Sequence, residues 1–331
     1  MSQLKTRKVS WVGWFVSALL IIGSVWLWIE RQHVVDAIQY YQYEPTTGVE
    51  QVAADAGLTD DARFTFYATR PSIESSSQFN LHCERREADS PILGCYTTNR
   101  IYIFDVTDER LDGIKVVTAA HELLHAEYDR LPESEKKRLE PLLQAEYKRV
   151  SDSSLEARMA YYEKTEPGQS INELHSIIGT EFESLSPELE TYYARYFNDR
   201  AGLVKLHKKV DETFKSLADE ADDLVNRIEK LAFSINNDTK AYNEDIASLN
   251  QAVESFNSKA SQSGGFTTQS EFQAARQELI RRSDALGVSR QKIQTNITEY
   301  KTLLAKLDTI NAESASLNQS LDSTLSDAPA I

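Results

Sequence analysis

The sequence predicts an α+β domain, mostly helical with a small sheet, set after an N-terminal transmembrane helix and before a long antiparallel helical coiled-coil hairpin. Three observations carry this expectation. Residues 11–29 form an uncharged apolar run. The pentapeptide His121-Glu122-Leu123-Leu124-His125 lies on a helix with an apolar stripe and follows a strand-like segment. Apolar residues then recur every seven positions from Leu203 onward.

The apolar run, Trp11 to Ile29, has the length needed to cross about 30 Å of hydrocarbon. Its tryptophans, Trp11, Trp14, Trp26 and Trp28, lie toward its ends, where indole rings favour a membrane interface. Lys5, Arg7 and Lys8 precede it, which keeps residues 1–10 in the cytoplasm and places everything after Glu30 outside. The expected location is therefore the cell membrane, single-pass, with the membrane itself as a partner through residues 11–29. A cleaved signal peptide is the alternative, and no small-x-small cleavage site closely follows the run.

The two cysteines fit that placement. Cys83 and Cys95 are twelve positions apart, and outside the cytoplasm such a pair favours a disulfide over free thiols. Asp89-Ser90-Pro91 between them reads as a turn, and the spacing lacks the CxxC form of a zinc site.

Residues 30–60 read as a juxtamembrane segment with mixed helical character. In the expected domain, 61–200, "RFTFYAT" is open between strand and a helix capped by Thr59, whereas "NRIYIFDV" (99–106) alternates as a strand. Helices follow over 114–130, where Val116, Val117, Ala120, Leu123 and Leu124 make the apolar stripe, then from Pro132 to about Val150, and around 153–164. Ser170 and Glu173 carry capping-box spacing at the start of a helix over 170–185, and a last helix starts at Pro187.

From residue 201 to 325 the character changes. Leu203, Val210, Leu217, Leu224 and Leu231 form one heptad series and Phe214, Ala221, Ile228, Ile235 and Tyr242 another. "SQSGGFTTQ" (261–269) interrupts them, and heptads resume at Phe272, Leu279, Leu286 and Ile293. Two long helices joined by a glycine-containing turn read as an antiparallel hairpin. Such a hairpin offers a surface for a protein partner or for self-association. The net charge of -15 argues against nucleic acid as a partner, because the phosphate backbone would repel it.

The chain has only six histidines, and two of them share the window 121–125. On a helix, i and i+4 project from one face, so His121 and His125 can share a metal ion. Neutral imidazole suits Zn²⁺, and a catalytic zinc takes three protein ligands and keeps one position open. Glu122, beside the first ligand, is placed to take a proton from water there, which makes it the expected general base.

"AAHELLHA" resembles the active-site helix of the zincin metallopeptidases, and "RIYIFDV" resembles the edge strand on which those enzymes bind an extended substrate. The resemblance covers residues 60–200 and implies a zincin-like peptidase domain with one Zn²⁺ and a protein or peptide substrate. A downstream glutamate helix would put it in the gluzincin branch. The longer metzincin pattern is absent, since "HAEYDRLPESE" has neither the glycine nor the third histidine.

The third ligand must then come from elsewhere, and the candidates are Glu181, Glu173 and His175, all on the 170–185 helix. On a helical wheel Ile171, Leu174, Ile178, Phe182 and Leu185 define the buried stripe. Glu181 falls inside that stripe and Glu173 about 100° from it, which ranks Glu181 first. A carboxylate on an apolar face needs a positive partner, either zinc or an arginine such as Arg158 or Arg195. Glu173 has its own use in the capping box, although "INELHS" resembles the Asn-Glu start of some gluzincin ligand helices. Tyr192, Tyr193 and Tyr196 are packing aromatics that include a conceivable oxyanion donor.

The sequence thus leads to a membrane-anchored, extracytoplasmic zinc metallopeptidase with Glu122 as general base. The second reading is a surface scaffold or adhesion coiled-coil protein with an inactive or structural zinc site.

Overall fold

The computed structural model describes residues 11–83, 92–165 and 167–324. They divide into two compact units, Met1–Thr213 together with Leu317–Ile331, and Phe214–Ser316.

The first unit begins with four helices, α1 (Trp11–Ile29), α2 (Arg31–Gln42), α3 (Thr47–Asp55) and α4 (Asp60–Ala68). Thr46 and Thr59 cap α3 and α4, their hydroxyl oxygens accepting from the Val49 and Ala62 amides. "RFTFYAT" is therefore helical, because a threonine cap and two acidic residues in the first turn suit a helix N-terminus. Val49, Val52, Ala53, Ala56 and Leu58 are buried in the main core, so the 30–60 segment packs into the domain and is not simply a tether.

The expected membrane anchor is overturned. Residues 11–29 are helical, but among the described residues no helix is long and apolar enough to cross a membrane. The single-pass topology, the cytoplasmic N-terminus, the extracytoplasmic location and the membrane contact through 11–29 all rested on that span and are not retained. The basic arm containing Lys5, Arg7 and Lys8 lies outside the described residues, as does the turn expected at Asp89-Ser90-Pro91.

A three-stranded sheet follows, with α5 (Ser76–His82) between its first two strands. The strands are β1 (Ser72–Glu74), β2 (Gly94–Thr97) and β3 (Arg100–Phe104), in the order β1-β3-β2. β1 runs parallel to β3 with Ile73 opposite Ile103, and β2 runs antiparallel with Cys95 opposite Tyr102. The strand expected at 99–106 is thus central and hydrogen-bonded on both flanks. It is not the edge strand that the resemblance implied; β1 and β2 flank it. Cys83 and Cys95 form the disulfide, which ties the end of α5 to β2.

The rest of the unit is helical: α6 (Ile114–Arg130), α7 (Glu133–Val150), α8 (Ser153–Thr165), α9 (Ser170–Glu181) and α10 (Pro187–Tyr193). All five stripe residues of α6 are buried, as its periodicity predicts. Helix α9 packs so closely on α6 that a Cβ on Gly179 would collide with Leu124 Cδ1 and lie 2.7 Å from Tyr193 Cε1. Gly179→Ala is expected to lose stability by about 1–3 kcal/mol despite alanine's better helix propensity, because both neighbours are fully buried and cannot yield. A thermal melt beside wild type checks this.

Helices α11 (Arg200–Ser261) and α12 (Gln269–Leu321) supply the second unit. Asp238 pairs with Lys292 and Lys259 with Glu271, so numbering rises along one helix as it falls along the other. Leu224, Ile228 and Leu303 form its small core with Leu231, Tyr300 and Leu307 against them. The turn falls at the glycines: Gly264 has φ +79°, and a Cβ on Gly265 would collide with the Lys259 carbonyl. The hairpin predicted from the heptads is therefore present.

Candidate metal centre

His121 and His125 lie one turn apart on α6, and their rings meet edge to face with centroids 4.8 Å apart. Their Nε2 atoms are 3.1 Å apart. Glu173, in the first turn of α9, completes the group: Oε1 lies 3.4 Å from His125 Nε2 and Oε2 lies 3.7 Å from His121 Nε2. Among the described residues these three form the one group of His, Cys, Asp or Glu side chains able to hold a metal ion, with ligand atoms within 4.8 Å of one another.

Two ligands bound to one tetrahedral zinc at about 2.0–2.1 Å stand about 3.3 Å apart. The observed spacings bracket that value. Two imidazoles and one carboxylate also match a catalytic zinc set, whereas Ca²⁺ and Mg²⁺ take all-oxygen cages. The donor set fits zinc.

The surroundings orient the ligands. Asn172 Oδ1 lies 3.0 Å from His125 Nδ1. An amide oxygen only accepts, so Nδ1 carries the proton and the Nε2 lone pair is left for the metal. Asn172 is held in turn by Gln169, 3.4 Å from its amide nitrogen. Burial pushes the Glu173 carboxyl up, but the imidazoles of His125 and His121, with help from Arg158, outweigh it and hold the group below its ordinary range. Glu122 is buried on α6, alongside the first residue of β2, Gly94.

The structure reverses the ranking of the third ligand. Glu181 ends α9, and both of its oxygens accept from Arg158, each at 2.8 Å. His207 Nε2 is 3.8 Å from it. Burial pushes Glu181 up, but the guanidinium more than compensates and keeps its carboxyl below the usual range. The wheel failed for a physical reason: every residue from Asn172 to Thr180 is buried, so α9 has no solvent face against which an apolar stripe could stand out. The capping box does not form either. Gln169 is the N-cap, Ser170 donates to Glu163 at 3.0 Å, and the Glu173 side chain is turned toward the histidines.

His175 is not part of the group. It is fully buried with Nε2 2.9 Å from Tyr192 Oη, and burial pushes its pKa well below the ordinary value. Tyr193 donates to the His175 carbonyl at 2.7 Å and Tyr196 donates to Tyr192 at 3.0 Å. The three tyrosines pack around that ring.

Two further residues shape this site without standing out in the sequence. The role of Asn172 had a local signal in the Asn172-Glu173 pair of "INELHS". Gly94 had none, because its closeness to Glu122 arises only when β2 is laid against α6. Compared with known proteins, the chain matches no family model, no curated protein and no solved structure.

Proposed function

We propose that the chain is a zinc-dependent peptidase, with His121, His125 and Glu173 as metal ligands and Glu122 as general base. The observation that carries this reading is the convergence of two imidazole nitrogens and one carboxylate from α6 and α9, with a second carboxylate next along α6. Zinc bound there would supply Lewis acidity toward a peptide carbonyl and make water easier to deprotonate.

The chain's own residues account for the remaining steps. Glu122 accepts a proton as the water oxygen bonds to the carbonyl carbon. When the C–N bond breaks, the same carboxyl returns the proton to the leaving amine. Asn172 holds His125 in the tautomer that ligates. A peptide substrate is supported by β2, which is paired only with β3 among the described residues, because an extended chain can add to such an edge.

Glu122→Gln keeps shape but removes the base. We expect it to retain one zinc per chain and to lose roughly 10²- to 10⁴-fold in peptide hydrolysis. Metal content by mass spectrometry and cleavage of labelled casein, both beside wild type, test the reading. Zinc in both proteins with cleavage in neither would instead favour the scaffold reading, in which the hairpin is the working part.

A further inference from the structure

The geometry points to Gly94 as a positioning residue for Glu122, made dependent on the oxidation state of Cys83 and Cys95 by the disulfide that pins the next residue along. This rests on the peptidase reading and states how that same site is set.

Thr118 and Glu122 are one turn apart on α6, so they project along one strip, and the start of β2 lies across it. A Cβ on Gly94 would lie 2.5 Å from Thr118 Cγ2, 2.8 Å from Glu122 Cγ and 2.9 Å from Glu122 Oε1. Real Cβ atoms do not approach that closely, so something must shift if a methyl is added. Thr118 and Glu122 are both buried, so neither has open solvent to turn into.

The strand has little freedom to retreat. Its residues 94–97 are paired with β3 across the full length of β2. Cys95 is bridged to Cys83, a buried residue at the end of α5, and α5 is itself seated by the contact of Phe79 with Phe104 of β3. With β2 held on both counts, the side chain that gives way is that of Glu122. None of the three candidate ligands lies on β2, so metal binding should be spared.

Reduction would take two electrons and two protons from a dithiol, itself oxidised to a disulfide, and leave two thiols in place of the bridge. β2 would then lose its covalent tie to α5 and keep only noncovalent contacts, among the described residues its ladder with β3 and its packing on α6, and Gly94 would hold Glu122 less firmly. General-base work tolerates little misplacement, since about 1 Å can cost roughly 100-fold.

The test uses the full chain and four proteins besides wild type: Gly94→Ala, Gly94→Ala/Thr118→Ser, Cys83→Ser/Cys95→Ser, and Gly94→Ala with both cysteine changes. Each is measured for zinc affinity, amide exchange in the metal-free form, thermal midpoint, and kcat and KM on labelled casein. We expect zinc affinity within about threefold of wild type throughout. Gly94→Ala should lose about 10- to 100-fold in kcat with KM little changed. Adding Thr118→Ser removes the nearest methyl and should restore the thermal midpoint but not kcat. Removing the bridge should speed exchange at residues 94–97 and not on α9, and should return part of the kcat lost in Gly94→Ala, because the freed strand can back away.

Wild-type kcat in Gly94→Ala, or kcat restored together with the midpoint by Thr118→Ser, would overturn the inference in favour of plain packing. So would unchanged exchange over 94–97 without the bridge. Should Gly94→Ala fail to fold, the cysteine variant decides alone: a several-fold drop in kcat with zinc retained supports the inference, and wild-type kcat refutes it. If wild type binds zinc and leaves casein intact, the peptidase reading fails first and takes this one with it.

Discussion

Glu173→Ala is expected to abolish tight zinc binding, lowering affinity by more than about 100-fold, while Glu181→Ala leaves it near wild type. The first figure exceeds the 10- to 100-fold that an outer-shell partner typically costs, because on the proposed reading Glu173 is a direct ligand. Asn172→Ala should fall within that outer-shell range, since it frees the His125 ring without removing a donor atom. Titration of the metal-free proteins with Zn²⁺ against a competing chelator gives all three values. If Glu181→Ala lost the metal and Glu173→Ala kept it, the assignment of Glu173 as third ligand would be wrong.

Glu181→Ala should instead show in stability. Its folded-state pKa lies below the ordinary carboxylate value, so the Arg158 pair stabilises the fold above that value and stops doing so as pH falls through the lowered pKa. Arg158 is 39% exposed in its side chain, so on losing Glu181 it can turn toward water, and the cost is about 1 kcal/mol. The variant's melting temperature should therefore approach that of wild type in acid, where wild type has lost the pair too.

Asp36→Ala should be the more damaging change to the fold. Asp36 lies on α2 and receives two hydrogen bonds from Arg130 at the end of α6, each 2.8 Å. The side chains are only 5% and 12% exposed. Arg130 also donates to Asn99 Oδ1 at 2.7 Å and to the Ala126 carbonyl at 2.8 Å, so one guanidinium joins α2, α6 and the β2–β3 turn. Removing the carboxylate leaves a buried cation without its counter-charge, which costs about 3–5 kcal/mol. Asn99 and the carbonyl remain, which puts the value at the lower end, roughly 3 kcal/mol, or about 6–12 °C in melting temperature. Asp36→Ala/Arg130→Met should recover much of that loss, because the unpaired charge goes with it. A double variant no more stable than Asp36→Ala would show that the ion pair is not what α2 contributes.

Much of the local structure is legible in the chain. Pro187 opens α10, the heptads and "SQSGGFTTQ" outline the hairpin and its turn, and the two cysteines have only each other to pair with, whereas "RFTFYAT" stays open between strand and helix. The i and i+4 spacing of His121 and His125 is enough by itself to put both rings on one face of α6. Each of these signals lies within one or two helical turns, or is forced by there being a single pair. The apolar run at 11–29 is equally plain as a pattern, yet its helix is not borne out as a membrane span.

What the sequence by itself determined is therefore the set of short-range geometries: which segments coil, where they stop, and that two imidazoles can face one point. The tertiary structure decided which acid meets them, which strand lies at the centre of the sheet, and which residue crowds Glu122. Those depend on contacts between segments distant along the chain. Periodicity can pick out a face only when one side of a helix meets water, and α9 is enclosed on all sides.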